Sequence, residues 1–230
     1  ELRLNSDGAL KKLEYVFEAT SLIKSSIDVP LIGFTGSPWT LFVYLYYGES
    51  PKNHDELNNY LKLRSHNTHS YLEQLTEITK DYVHAQIEAG ADCIQIFDSW
   101  GGLLDEKYQE LSLNYINQIA ASVQVDIPII LYIRGKLIDN IIDLTPIKCF
   151  NLDTSDNIDA HINKSITIQG NFDPQNFHTN EDELKKMAKL IYTKYKNKEN
   201  YIFNLGSGLT PDINPEKVGY FLSQLSSFRS

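Results

Sequence analysis

Along the chain, short runs of β-branched and aromatic residues alternate with longer stretches in which apolar positions return every three to five residues. Six such runs stand out: VPLIGF at 29–34, DCIQIF at 92–97, IPIILYI at 127–133, KCFNL at 148–152, SITIQG at 165–170 and YIFNL at 201–205. They are nearly continuous in apolar residues, the pattern of parallel strands covered on both faces. Between them the helical spacing is legible. Residues 9–26 place Leu10, Leu13, Phe17, Leu22 and Ile23 on one stripe, and residues 71–90 form a second helix. The region 51–88 is long enough to hold an extra helix pair. In 180–196, Asn180 is the N-cap, with acids in the first turn and lysines later. At 214–225, Asn214 caps and Pro215 takes the first helical position.

Strand and helix in regular alternation give an α/β fold. Periodicity alone leaves an open doubly wound layer and a barrel both possible. The strand ends discriminate: Thr35-Gly36-Ser37, Asp98-Ser99, Arg134-Gly135-Lys136, Asp153-Thr154, Asn171-Phe172-Asp173 and Gly206-Ser207-Gly208 are all polar or small. Polar groups on every strand end suit a barrel mouth, whereas an open sheet concentrates them at its switch point. The expectation is a single domain over 1–230, an incomplete (β/α)8 barrel of about six units.

Composition narrows the function. With 42% apolar and 22% charged residues the chain is of ordinary globular type. Its 21 Lys and Arg against 30 Asp and Glu, net charge −9, argue against a nucleic-acid surface. Arginine is restricted to Arg3, Arg64, Arg134 and Arg229. Cys93 and Cys149 both lie in strand-like runs and read as free buried thiols. The apolar run at 127–133 is too short to cross a bilayer, and the N-terminus lacks the layout of a secretory signal. A first residue of Glu points to a processed chain or a fragment. His54, His66, His69, His84, His161 and His178 show no metal-ligand spacing, so no metal is expected.

Five segments in order carry a resemblance: YVFEA at 15–19, VPLIGFTGSPWTL at 29–41, HAQIEAGADCIQIFDSW at 84–100, IQGNFDP at 168–174, and IFNLGSGLTP at 202–211 with PEKVGYF at 215–221. The chain resembles the C-terminal part of uroporphyrinogen decarboxylase across essentially its whole length. The resemblance implies units three to eight of an eight-unit barrel with a cleft at the strand C-termini. It also implies a cofactor-free carboxy-lyase that converts uroporphyrinogen III to coproporphyrinogen III by four acetate decarboxylations in haem biosynthesis. A tetrapyrrole substrate, a homodimer and a cytoplasmic location follow from it, with no nucleic-acid or membrane partner. The family's arginine-rich segment and principal catalytic aspartate have no counterpart in these residues, so the activity of this chain alone is open. Related barrel methyltransferases bind zinc through a His-x-Cys pair, which this sequence lacks.

Carried over position by position, Tyr44 matches a family tyrosine near the catalytic aspartate and the substrate. Ser99 matches a cleft-facing serine, with Asp98 beside it ordering the loop. Arg134 fills a basic slot before a glycine, and either it or Lys136 could meet a substrate carboxylate. Asp153 matches the aspartate of a Gly-Leu-Asp-Trp segment, written here NLDT. Asn171 and Asp173 fit a Gly-Asn-Leu-Asp-Pro motif that fixes its loop through backbone hydrogen bonds. At Ser207 the family usually carries histidine, between glycines that correspond to Gly206 and Gly208; serine has neither the charge nor the reach of imidazole. Two alternatives stand beside the decarboxylase: a non-enzymatic remnant that binds tetrapyrrole or a partner chain, and a barrel enzyme that holds phosphate on the glycine-containing loops at 170–174 and 206–208.

Overall fold

The structure, a computed structural model, describes residues 4, 6–48, 65–124, 126–135, 139 and 141–228. Six strands form one sheet in strict chain order: β1 (Ile32–Gly36), β2 (Cys93–Asp98), β3 (Ile129–Ile133), β4 (Cys149–Asn151), β5 (Thr167–Gln169) and β6 (Tyr201–Ile202). The pairs β1–β2, β2–β3 and β5–β6 are parallel. A doubly wound sheet reverses its order at a switch point; this one does not, which makes it an α/β fold of the partial (β/α)8 kind. Among the described residues no helix is long and apolar enough to cross a membrane.

The chain divides into two compact units, 1–150 and 151–230. In the first, α1 (Ser6–Lys12), α2 (Glu14–Ser26), α3 (Pro38–Tyr47), α4 (Ser65–Glu88) and α5 (Asn114–Ser122) accompany the strands. Its core is built from Trp39, Val43, Leu72, Val83, Ile94, Ile96, Ile116, Ile119 and Leu131. All five residues of β3 are buried, as its unbroken apolar run predicts.

At β1 that pattern fails: Gly33 and Thr35 are buried, but Ile32 and Phe34 are exposed. Among the described residues the strand is the first of the sheet and pairs with β2. Its other edge is blunted, because the Gln86 side chain from α4 accepts from the Phe34 N–H (3.0 Å) and donates to the Phe34 carbonyl (3.0 Å). An amide side chain thus supplies the two bonds that another strand would make there. The stripe expected over 9–26 is also altered. The helix breaks at Leu13 into α1 and α2, α2 buries none of its residues, and Leu22 is 70% exposed. The stretch proposed as an extra helix pair falls partly outside the described residues; from Ser65 onward it is α4.

The second unit holds α6 (Glu181–Tyr195) and α7 (Pro215–Ser227). Asn180 accepts from the Glu183 N–H and Asn214 from the Glu216 N–H, so both caps occur where the sequence predicts them. The core packs Phe172, Phe177, Leu184, Ala188, Ile213 and Phe221, with the Phe172 and Phe221 rings 4.6 Å apart. β6 is shorter than its predicted run, and beyond it the Phe172 N–H donates to the Asn204 carbonyl and the Gly206 N–H to the Phe172 carbonyl. A bridge from Phe172 to Leu205 continues the parallel pairing beyond that point.

Candidate functional site

In the first unit the parallel register brings the C-terminal ends of β1, β2 and β3 to one side: Gly36 lies opposite Phe97, and Asp98 opposite Ile133. The chain then turns into α3 at Ser37-Pro38. Ser37 N–H donates to the Phe97 carbonyl (2.9 Å), and its Oγ accepts from the Thr40 N–H (3.0 Å), an N-cap followed by proline in the first turn. The same Oγ donates to Asp98 Oδ1 at 2.6 Å.

Asp98 is fully enclosed. Thr40 Oγ1 donates to its Oδ1 (3.2 Å) and Ser112 Oγ donates to its Oδ2 (2.7 Å), while the buried Tyr108 phenol interacts with its charge. Ser112 reaches it from a π-helical turn at Gln109–Leu113. Burial raises the Asp98 carboxyl above its ordinary value, with the surrounding hydroxyls pulling in the opposite direction. Burial, and then the charge of Asp98, push the Tyr108 phenol well above its own. Sequence reading identified Asp98 and the polar strand end at Ser37 but missed Ser112 and Tyr108; a serine fourteen positions on, in a helical stretch, carries no signal of such a bond.

Ser99 follows directly and is half-buried. Trp100 is tied to α3 from two sides, since Trp39 Nε1 donates to its carbonyl (3.1 Å) and its N–H approaches Thr40 Oγ1 (3.4 Å). Two glycines after it allow close approaches: a Cβ on Gly101 would stand 2.0 Å from Asp98 Oδ2, and one on Gly102 2.0 Å from the Arg134 carbonyl. The loop after β2 therefore lies against the end of β3, where Arg134 is exposed. Tyr44, 42% exposed, sets its ring edge-on to Trp100 with centroids 6.3 Å apart. Tyr44, the Ser99-Trp100 pair and the Arg134 backbone are thus gathered at one end of the sheet; Lys136 lies outside the described residues.

A different group assembles in the second unit. Asp153 is buried, and its Oδ1 accepts from the Ser155 N–H (3.1 Å), the Ser155 hydroxyl (3.0 Å) and the Thr154 hydroxyl (3.3 Å). Asn171 Nδ2 donates to the carbonyls of Asp153 (2.7 Å) and Asp156 (2.8 Å). Asp173 Oδ1 accepts from the Gln175 N–H, capping the short helix at Pro174–His178. Gly206 presses on the next chain segment so closely that a Cβ would come 2.6 Å from the Thr154 N. Ser207 is half-buried between Gly206 and the exposed Gly208, whose Cβ position faces open space.

Among the described residues no three His, Cys, Asp or Glu side chains converge as a metal site requires. The histidines have other partners. His69 lies between the Tyr115 hydroxyl (2.8 Å) and Glu110 (3.1 Å), His84 meets the Ser122 carbonyl, and His178 pairs with Asp212. His161 is buried, while His54 and the side chain of His66 lie outside the described residues.

Comparison with known proteins adds a second line. A family model described as uroporphyrinogen decarboxylase matches residues 1–228. The chain is 35% identical over 228 residues to a uroporphyrinogen decarboxylase of Hydrogenovibrio crunogenus, covering 94% of this chain and 64% of that protein. It is 34% identical over 235 residues to that of Francisella philomiragia, covering 97% and 68%. A third, from Ruthia magnifica, is 32% identical over 240 residues, covering 98% and 69%. The chain therefore spans about two thirds of the length of these relatives. Among solved structures, a putative vitamin-B12 independent methionine synthase from Listeria monocytogenes superposes with a TM-score of 0.58 at 15% identity, over 93% of this chain and 69% of that one. A B12-independent methionine synthase from a Shewanella species gives 0.64 at 10%, over 93% and 66%. At such identities the likeness concerns the fold alone.

Proposed function

The chain belongs to the uroporphyrinogen decarboxylase family, and from that premise we propose that it is a carboxy-lyase acting on uroporphyrinogen at the C-terminal rim of β1, β2 and β3. The observation that carries the reading is the clustering of Tyr44, Ser99-Trp100 and the Arg134 segment on one rim, fixed by the buried Asp98. Tyr44 is the catalytic candidate, its phenol directed by the edge-on contact with Trp100; a phenol can donate a hydrogen bond to an acetate carboxylate and hold it for cleavage. The Ser99 hydroxyl is a second donor to the same group. Arg134, exposed at the rim, pairs with a further side-chain carboxylate of the tetrapyrrole. Ser207, in the second unit, is a separate substrate-binding candidate: where the family has histidine, either a water fills the gap or that contact is lost.

The chemistry needs the substrate's own ring. Protonation of a pyrrole carbon makes the ring an electron sink; the bond from the acetate methylene to its carboxylate breaks, carbon dioxide leaves, and the electron pair enters the ring. A proton delivered to the resulting exocyclic methylene gives the methyl group, and loss of the proton first added to the ring carbon restores the pyrrole, so that one proton is consumed per carbon dioxide released. The reading includes units three to eight of the family barrel, a homodimer and a cytoplasmic location, and it needs no cofactor. The match to 64–69% of the relatives' length supports a partial barrel.

The test is anaerobic incubation of the chain with uroporphyrinogen III, measuring carbon dioxide release and separating the products. Stepwise loss of carboxylates, reduced by Tyr44→Phe, is expected. Saturable tetrapyrrole binding without any release would favour the non-enzymatic remnant, and neither binding nor release would end the tetrapyrrole reading.

A further inference from the structure

Among the described residues, the hydrogen-bond partners of the enclosed Asp98 carboxylate are all hydroxyls: Ser37, Thr40 and Ser112. Burying a carboxyl group without a cation is unfavourable, and such a group holds its place when it binds several donors at once. Those donors come from separate parts of the chain. Ser37 and Thr40 belong to the entry of α3, Ser112 lies in the π-helical turn, and Asp98 itself ends β2. The carboxylate thus pins three segments at a single point.

The residues on either side of that point are the candidate site. Ser99 and Trp100 follow Asp98 directly, and the absence of a Cβ at Gly101 lets the loop fold back over Oδ2. Tyr44 lies seven residues beyond Ser37, two turns along the same helix face, so the anchored N-cap sets where its ring lands. That ring lands on Trp100. We propose that Asp98 is a positioning residue, which sets the spacing between the Tyr44 phenol and the Ser99 hydroxyl so that both address one substrate carboxylate. The role in substrate recognition rests on the tetrapyrrole reading; the mechanical role does not.

The test uses both parts. The chain has two tryptophans, Trp39 and Trp100, so labelling with 5-fluorotryptophan gives two fluorine resonances, assigned through Trp100→Phe. In the wild type, Tyr44→Leu removes the ring facing Trp100 and moves that resonance. In folded Asp98→Asn the Trp100 resonance is already displaced, and adding Tyr44→Leu moves it little further. In parallel, calorimetric titration with uroporphyrin III is expected to show affinity about tenfold weaker in Asp98→Asn, and not additive with Tyr44→Phe. A folded Asp98→Asn whose Trp100 resonance does not move overturns the proposal, as does a displaced resonance with unchanged uroporphyrin affinity. Should Asp98→Asn fail to fold, Ser112→Ala, which removes one donor from Oδ2, is read in the same two ways. If the wild type binds no uroporphyrin, the tetrapyrrole reading fails, while the fluorine spectra still decide whether Asp98 sets the Tyr44–Trp100 contact.

Discussion

Replacing Ser37 with alanine removes two bonds with one atom. Its Oγ caps α3 by accepting from the Thr40 N–H at 3.0 Å, and it donates to the enclosed Asp98 at 2.6 Å. Loss of a Ser N-cap costs about 1 kcal/mol. A hydrogen bond to a charged group is worth about 1.5–3 kcal/mol. Both groups are buried, so water offers little replacement. The two effects share an atom and need not add fully, which gives an expected loss of ~2–4 kcal/mol. In a chain of this size that is a fall of about 5–15 °C in melting temperature. The comparison that isolates the buried bond is Asn180→Ala, which removes an exposed cap from α6 and nothing else; it is expected to cost about 1 kcal/mol. Ser37→Thr keeps both bonds and should cost less than either. Urea unfolding followed by circular dichroism measures all three. If Ser37→Ala costs no more than Asn180→Ala, the bond to Asp98 has no net value and the anchoring argument fails.

Asp98 also sets a pH dependence. Its carboxyl is raised above the ordinary 3.8 by burial, so the native state binds this proton more tightly than the unfolded chain does. The group's contribution is fully present below 3.8 and declines as pH rises through the raised native value; the stability advantage of wild type over Asp98→Asn should therefore be largest in acid, and an advantage that grows with pH would contradict it. Gln86→Leu strips the Phe34 N–H and carbonyl of their partners at the β1 edge, for an expected loss of ~1–3 kcal/mol and greater self-association by light scattering; an unchanged midpoint would show that water serves equally well. Burial pushes the Cys149 thiol up to about 12 and also raises Cys93, with the charge of Asp92 adding to the second. Both should react far more slowly with a disulfide reagent at pH 8 in the folded chain than in urea, and modification of Cys149 within the mixing time would refute its enclosure.

The parts of the fold legible in the sequence are those set by local chemistry. Asn180, Asn214 and Pro215 announce their helices because capping needs only a side chain and its next few N–H groups. β3 announces itself because its burial is complete. What escaped reading depends on distant neighbours. Leu22 and Ile23 have the spacing of a packed stripe, but exposure is decided by what lies opposite, and nothing in residues 9–26 encodes that. Beyond β6 the Asn204 side chain bonds to the Leu205 N–H and to Asn151, fifty-three residues away, a partnership that no local pattern announces. In the candidate site the strand-end positions of Ser99 and Arg134 followed from alternation, whereas the hydroxyl cage around Asp98 joins residues 37, 40 and 112 and only folding brings them together.

The central claim is that the rim formed by Tyr44, Ser99 and Arg134 holds one carboxylate-rich tetrapyrrole. Calorimetric titration of the chain with uroporphyrin III, repeated with Arg134→Ala and with Tyr44→Phe, tests it directly. The account predicts saturable one-to-one binding that weakens in both variants. Binding that neither variant changes, or no binding at all, would contradict it.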